Sequence, residues 1–478
     1  MSDRLSPLDV SFLYLEERTT PMHVGSVMVF RPGPGGLDWP RFVRHVEARI
    51  ALVHRYRQRV RFVPGRIANP VWVDDERFDI SYHVRRSALP RPGSQTQLEE
   101  LVARLQARRL DRSRPLWELI VVEGLEDGGF AVVTKVHQAL VDGVNAVDLG
   151  QVVLDDDDDG AEPPLHTWRP GREPSFVELV ASAVTDTLRR PQQLADTARA
   201  GLGDLLSAGG KAAETLGGLA LAARSATRPH PRSPLNVDIG AHRRFVLLAT
   251  DLEDYRRVRA HHLAGRLEGD APGTTVNDVV LATLAGALRT WLQGRGLGVG
   301  PGSAVRALVP MSVKAEEPSD AGAIGSRVAS LLVDLPTGEP SPLMRLHQVA
   351  YQTRSHRESV QALSAPAIAG MAGFAPPTLH SLGARVASGL SRRLFNLVVT
   401  NVPGPQHPLF LEGSRLLASY PVIPLARGQA LAVGLTSYDG GVHYGLNGDR
   451  DAMPDLDDLR RCIVDALAEL LELAEGTP

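Results

Sequence analysis

The stretch Lys135-Val136-His137-Gln138-Ala139-Leu140-Val141-Asp142-Gly143 ends a β-rich run with an imidazole and then turns at an acid followed by a glycine. A histidine so placed can act as a general base, because its pKa lies near neutrality. Acyl transfer from a thioester to an alcohol needs little else: one group to take the hydroxyl proton and a polar donor to steady the tetrahedral oxyanion. Asp142, about a turn away, can hold the loop by pairing with an arginine, and Gly143 gives the turn backbone freedom. No Ser or Cys nucleophile motif accompanies these residues, and the single cysteine, Cys462, falls in a C-terminal helical pattern that reads as a core thiol. The histidines lack ligand spacing such as HExxH, so no metal is expected. His261-His262 has no Asp-Gly at the needed distance and alternates with arginine, which predicts a surface pair.

These residues need strands and helices to position them. Leu119 to Glu123 and Phe130 to His137 are β-rich runs joined by Gly124 to Gly129, a loop with hairpin chemistry. Met22 to Phe30 reads as a strand, while Trp39 to Leu52 and Thr96 to Leu110 repeat apolar residues at helical spacing. After the turn, Val147, Leu149 and Val152 suit a short helix ending at Asp155 to Asp159, whose like charges repel and predict a solvated loop. The proline-rich stretch Ala161 to Trp168 leads into a long helical pattern, Pro174 to Arg224, broken at Pro191, Gly201, Gly203 and Gly209-Gly210. Its apolar residues Phe176, Leu179, Val180, Val184 and Leu188 share one face, which could touch lipid but is expected to cover a domain joint. Arg228 to Pro234 is a stiff, extended boundary.

The second half alternates again: a strand at Arg244 to Leu252, a helix at Val276 to Leu292, strands at Ala304 to Pro310 and Arg327 to Leu335, and a helix at Leu343 to His356. Phe395 to Thr400 is strand-like, Ala430 to Tyr438 pairs with His443 to Asn447, and an amphipathic helix over Leu456 to Leu473 follows. The reading is an α/β protein with a first domain over 1–168, a helical linker over 169–235 and a second domain over 236–478. A chain of 478 residues, 43% apolar and 22% charged with net charge −3, fits two soluble domains and argues against a nucleic-acid partner. The N-terminus shows no export signal, and no stretch reaches the roughly 18 apolar residues of a spanning helix. A cytoplasmic protein is expected, lying on a membrane if it meets one.

His137 to Gly143 resembles the HHxxxDG motif of the wax ester synthase/diacylglycerol acyltransferase family, a branch of the CoA-dependent acyltransferases. Leu5-Ser6-Pro7-Leu8-Asp9 with Phe12, and Pro21-Met22-His23-Val24-Gly25, look like the family's opening, and Pro115-Leu116-Trp117-Glu118 looks like its PLW element. Asn277-Asp278, Pro310-Met311-Ser312-Val313 and Thr400-Asn401-Val402-Pro403-Gly404-Pro405 look like its ND, PxSxR-like and NVPGP elements. Signatures in order over both halves make the match specific. The resemblance implies two chloramphenicol-acetyltransferase-like domains joined by a long helical linker and meeting at a tunnel, with His137 facing its middle. It implies long-chain acyl-CoA as donor, a substrate and not a cofactor, and diacylglycerol or a long-chain alcohol as acceptor. It also implies direct transfer without an acyl-enzyme, and peripheral contact with the inner membrane face or lipid droplets. Asn277, Asp278, Pro115, Leu116 and Trp117 would then bind substrate, and Arg327 would pair with Asp142. Taken as residues alone, Trp117 fits a core and Asn277 a helix cap.

Two positions depart from the family pattern. Ser326 stands where a Gly-Asn pair is usual, and Gln138 stands where the second histidine, usually the general base, is expected. Glutamine takes no proton at neutral pH, and neighbours in a strand face opposite ways unless the backbone is kinked. Three readings stay open: His137 is the base with Gln138 a donor to the oxyanion, the enzyme works by positioning alone, or the site is silent. A silent lipid- or acyl-CoA-binding protein is accordingly one rival reading. A condensing domain of peptide or polyketide assembly, which shares the HHxxxDG idea, is another.

Overall fold

In a computed structural model of the chain, the residues described are 3–66, 68–141, 149–157, 168–189, 233–264, 273–313, 327–358, 363–364 and 394–475. The first half contributes strands β1 (Asp3–Arg4), β2 (His23–Arg31), β3 (Gln58–Arg61), β4 (Val71–Asp74), β5 (Val84–Ala88), β6 (Trp117–Glu123) and β7 (Phe130–His137). The second contributes β8 (Arg243–Asp251), β9 (Val305–Val313), β10 (Arg327–Leu335), β11 (Leu363–Ser364), β12 (Leu397–Pro403), β13 (Phe410–Leu411), β14 (Ser414–Val422), β15 (Leu431–Tyr438) and β16 (Gly441–Asp449). They form a six-stranded sheet of order β13-β14-β2-β7-β6-β5, a seven-stranded sheet of order β11-β10-β9-β12-β15-β16-β8, and a small sheet β1-β4-β3. Both large sheets are mixed, with β5 parallel to β6 and β12 parallel to β9 and β15.

The apolar periodicity explains why these elements form. β7 is buried at every position, as a central strand covered on both faces must be. Helices α1 (Pro7–Leu15), α2 (Trp39–Ala51), α3 (Ile80–His83) and α4 (Gln95–Ala107) precede it or pack beside it. α1 starts on a Ser6 and Asp9 capping box with Pro7 in the first turn, and α4 on a Ser94 and Gln97 box. The helix Val276–Gly294 is buried almost all round and anchors the second core with Trp291, Leu284 and Leu288. The strands β15 and β16 join through Asp439 and Gly440, both at positive φ, the chemistry of a two-residue hairpin turn.

A cut of the sequence at 236 does not divide the sheets. β13 and β14, from the second half, complete the first-half sheet by pairing β14 with β2 from Arg415↔Arg31 to Val422↔Gly25. At the tip of that hairpin Glu412 lies 3.0 Å from His45 and is ion-paired to Arg41, both on α2. Phe410 and Asp155 exchange backbone bonds of 2.8 Å in both directions, and Asp155 pairs with Arg49. The acidic run was expected to be solvated throughout; Asp155 is instead half-buried, because it closes this bridge, while Asp156 and Asp157 are exposed and 158–159 fall outside the described residues. β14 also lies against the second sheet. Gly434 and Gly445 face each other in register on β15 and β16, and a Cβ on Gly445 would sit 1.9 Å from the Pro421 carbonyl oxygen. Paired glycines thus open the slot that admits the backbone of β14.

The first half reciprocates at β8, the edge of the second sheet. Gln95 on α4 donates to the Leu247 carbonyl at 3.0 Å, and Leu247 N–H donates to Glu99 at 2.9 Å. Two helical side chains therefore satisfy a strand edge that would otherwise be open. Phe245, Leu247 and Val422 pack with Val27, Leu98, Ile120 and Val133 to make the joint apolar.

Two further expectations are corrected. Among the described side chains, helix α7 (Phe176–Arg189), numbered after the short helices α5 (Gln138–Val141) and α6 (Leu149–Val153), makes no contact with this joint, and the side chains of Val184 and Leu188 lie outside the description. Its Leu179 packs on Val71 and Val73 of the small sheet, leaving Phe176 and Val177 exposed; the remainder of the linker, from 190 to 232, falls outside the described residues. His262 is buried and not at the surface, because its Nδ1 meets the Thr274 hydroxyl at 2.7 Å and its ring lies near His347. Cys462 packs half-buried against the second core, and burial pushes its thiol pKa up, which suits an inert thiol.

Gly445→Ala drives a methyl into a backbone oxygen that has no rotamer to escape by, and should destabilise the protein by about 1–3 kcal/mol. Denaturant unfolding reads this; an unchanged midpoint would mean that β14 does not seat in the glycine slot.

Candidate active site

Pairing of β2 with β7 sets His23 directly opposite His137, with ring centroids 6.0 Å apart. Residues in register share a face of the sheet, so both imidazoles point the same way as Lys135, two residues back. The C-terminal residue after α1, Glu16, brings a carboxylate between them: Oε1 is 3.2 Å from His23 Nε2 and Oε2 is 4.0 Å from His137 Nε2. Arg112 closes the group, donating through Nε to Glu16 Oε2 at 2.8 Å and through Nη2 to the Leu13 carbonyl at 2.7 Å. Leu110 N–H also faces His23 Nε2, at 3.4 Å, a longer and weaker contact than the charged one.

Burial decides the protonation states. Burial would raise the Glu16 pKa, but the His23 contact, Arg112 and His137 outweigh it and hold it down at about 2. Burial pushes His137 down to about 3 and His23 to about 4, the nearby Glu16 opposing in each case. Both rings are therefore neutral near pH 7. Lys135 is held down at about 8, first by burial; its ammonium donates to the Leu105 carbonyl at 3.0 Å and to the Arg108 carbonyl, which ties the end of α4 to β7.

His137 itself is fully buried. Its N–H donates to the Leu116 carbonyl at 3.0 Å, and Gln138 N–H to the Met22 carbonyl at 2.9 Å. Ala139 N–H donates to His137 Nδ1 at 3.0 Å, so the neutral ring carries its proton on Nε2, toward Glu16. The single lone pair of a neutral imidazole is thereby committed to the first turn of α5. In this geometry the His137 lone pair faces the Ala139 N–H, while its Nε2 lies 4.0 Å from Glu16. Gln138, at the start of α5, is half-buried.

The other expected site residues fall in different places. Asp142, Gly143 and Ser326 lie outside the described residues. Arg327 opens β10, opposite Val313, and its pairing with Asp142 lies outside as well. Leu116 and Trp117 are fully buried in the first core; Trp117 donates from Nε1 to the Tyr56 carbonyl at 2.8 Å and stacks on His83 with centroids 4.6 Å apart. The PLW element, with Pro115, therefore supports β7 from beside it: Leu116 holds His137, and Trp117 stands in register with Val136. Asp278 is a buried capping residue, accepting from Thr275 N–H at 2.7 Å and from the Thr353 hydroxyl at 2.6 Å. The first bond closes the capping box of Asp278's own helix, and the second ties that helix to Pro342–Glu358. Asn277 accepts from Asn401 at 3.1 Å, joining the ND and NVPGP elements, and its own Nδ2 is buried without a partner among the described residues. Glu16 and Arg112 carry no signal in the sequence, where no spacing marks a contact between residues 16 and 112, and the burial of Lys135 carries none either.

With three histidines buried neutral, His23, His83 and His137, and Glu16 held low, each of these groups binds more protons unfolded than folded. Stability is therefore complete above about pH 6.5 and is lost as pH falls from there toward 3. His83→Gln should lessen the slope of unfolding free energy against pH by up to about one proton; an unaltered slope would show that His83 is not buried neutral.

Comparison with known proteins matches residues 5–280 to the wax ester synthase/diacylglycerol acyltransferase catalytic domain and residues 324–471 to the WS/DGAT C-terminal domain. The probable diacyglycerol O-acyltransferase tgs2 of Mycobacterium tuberculosis is 37% identical over 476 residues, covering 98% of each chain. The probable diacyglycerol O-acyltransferase tgs3 of the same organism is 44% identical over 263 residues, 55% of this chain and 97% of its own. Among solved structures, the wax ester synthase/diacylglycerol acyltransferase of Marinobacter aquaeolei VT8 superposes with a TM-score of 0.68 at 29% identity, covering 99% of this chain and 100% of its own. The starter condensation domain of rhizomide synthetase RzmA reaches 0.55 at 12% identity over 99% of this chain and 94% of its own, a likeness of fold alone. The fold is the two-domain, chloramphenicol-acetyltransferase-like one.

Proposed function

The chain belongs to the wax ester synthase/diacylglycerol acyltransferase family, and from that premise we propose that it transfers a long-chain acyl group from coenzyme A to the hydroxyl of diacylglycerol or of a long-chain alcohol. The observation that carries this reading is the full-length relationship to a probable diacyglycerol O-acyltransferase, which spans both halves. Among the described residues no helix is long and apolar enough to cross a membrane.

The alcohol oxygen attacks the thioester carbonyl carbon, the tetrahedral intermediate collapses with loss of the C–S bond, and the hydroxyl proton ends on the departing thiolate. No acyl-enzyme intervenes. His137 acts as a positioning residue: it fixes α5 through Ala139 and so presents Gln138 at the position where the family's base stands. The Gln138 amide can donate to the oxyanion but cannot take the proton. Loss of a general base costs a factor of about 100 to 10,000, while orientation of the two substrates persists. On this reading turnover is expected to be slow for the family. Gln138 also favours a second reading, a silent acyl-CoA- or lipid-binding protein, which differs by binding without product.

The test uses labelled palmitoyl-CoA with diacylglycerol or hexadecanol and separates products by thin-layer chromatography. Triacylglycerol or wax ester above a boiled control supports the transferase; retained acyl-CoA binding without product supports the silent protein. Gln138→His should raise kcat by about 100-fold, and His137→Ala should lower the unfolding midpoint together with activity. Wild-type stability with abolished turnover in His137→Ala would return the base role to His137.

A further inference from the structure

Next to the Glu16 group, strand β5 and the segment after α4 enclose a cavity of about 580 Å³. Arg85, Arg86, Arg108, Arg109 and Arg112 line it, against two acids, Asp111 and Glu118. The acids do not balance the arginines. Glu118 stands 3.6 Å from Arg85, and Asp111 is turned to Ser113, accepting from its N–H at 2.9 Å and its hydroxyl at 2.7 Å. Arg86 is held by Glu123 at 2.7 Å and Arg112 by Glu16 at 2.8 Å. Among the described residues no carboxylate pairs with the guanidinium of Arg108 or Arg109, and both side chains are exposed. The buried Lys135 ammonium sits on the backbone just behind them.

Such a cavity attracts an anion of some size, and guanidinium groups match the geometry of phosphate oxygens. We propose that it binds the phosphates at the nucleotide end of the acyl-CoA donor, which rests on the transferase reading above. The volume suits a small molecule. Arg112, which lines it, also holds Glu16 of the group around His137, so the cavity adjoins the motif's support. A flat lipid surface is the poorer fit: the large exposed apolar residues Phe176 and Val177 are on α7, and neither lines the cavity.

The experiment is calorimetric titration of the full chain with adenosine 3′,5′-bisphosphate and with CoA, comparing wild type with Arg108→Ala/Arg109→Ala. The double variant should keep the wild-type unfolding midpoint and bind both ligands about tenfold more weakly, and its KM should rise for palmitoyl-CoA but not for palmitoyl-pantetheine. Equal affinity in the two proteins, or no binding of the bisphosphate by wild type, overturns the proposal. Lost binding to phosphatidylglycerol vesicles with unchanged CoA affinity overturns it in favour of a lipid headgroup. Arginine-dependent binding of the bisphosphate without turnover on either acceptor upholds the cavity while the transferase reading falls.

Discussion

The buried carboxylate of Glu16 cannot stay ionised alone in an apolar interior, and everything around the motif answers that constraint. Arg112 supplies the compensating charge, His23 the nearest polar contact, and His137 stands just beyond. Each comes from a different element, so satisfying one charge joins the end of α1, β2, β7 and the segment after α4. A charge in water would exert no such demand. In a site with 1% side-chain exposure it fixes the register of β2 on β7 and, through His137, the start of α5.

The second constraint is the joint between the halves. Each half completes the other: β13 and β14 finish the first sheet, and α4 covers the free edge of the second. The glycine slot over Gly434 and Gly445, and Arg243 donating to the Thr19 carbonyl, add backbone-level contacts. Sliding one half over the other would break ladder hydrogen bonds, which makes the joint a fixed part of the architecture. For the transferase proposed above, a fixed joint would preserve the orientation of two substrates.

That matters because the chemistry at position 138 is reduced. A glutamine amide has a hydrogen to give and no basic electron pair, and the histidine before it has its lone pair engaged by Ala139. On the proposed reading the scaffold contributes positioning, to which the cationic cavity would add a hold on the donor's phosphates.

The sequence by itself determined the family, the α/β class, and the main strands and helices, since periodicities near 2 and 3.6 and the ordered motifs are local signals. β7, α2, α4 and the helix over 276–294 fall within a few residues of their expected places, and the substitution at 138 is visible without any structure. The tertiary structure alone decided that residues 410–422 belong to the first sheet, that Asp155 is half-buried on Arg49 and His262 buried on Thr274, and that Glu16, held by Arg112, stands beside His137. Pattern in a sequence reports which face of an element is apolar, but not which distant element covers it. A glutamate at 16 and an arginine at 112 look like ordinary surface charges until the fold removes the water between them, and the lone pair of His137 looks available until a backbone N–H two residues on is seen to hold it.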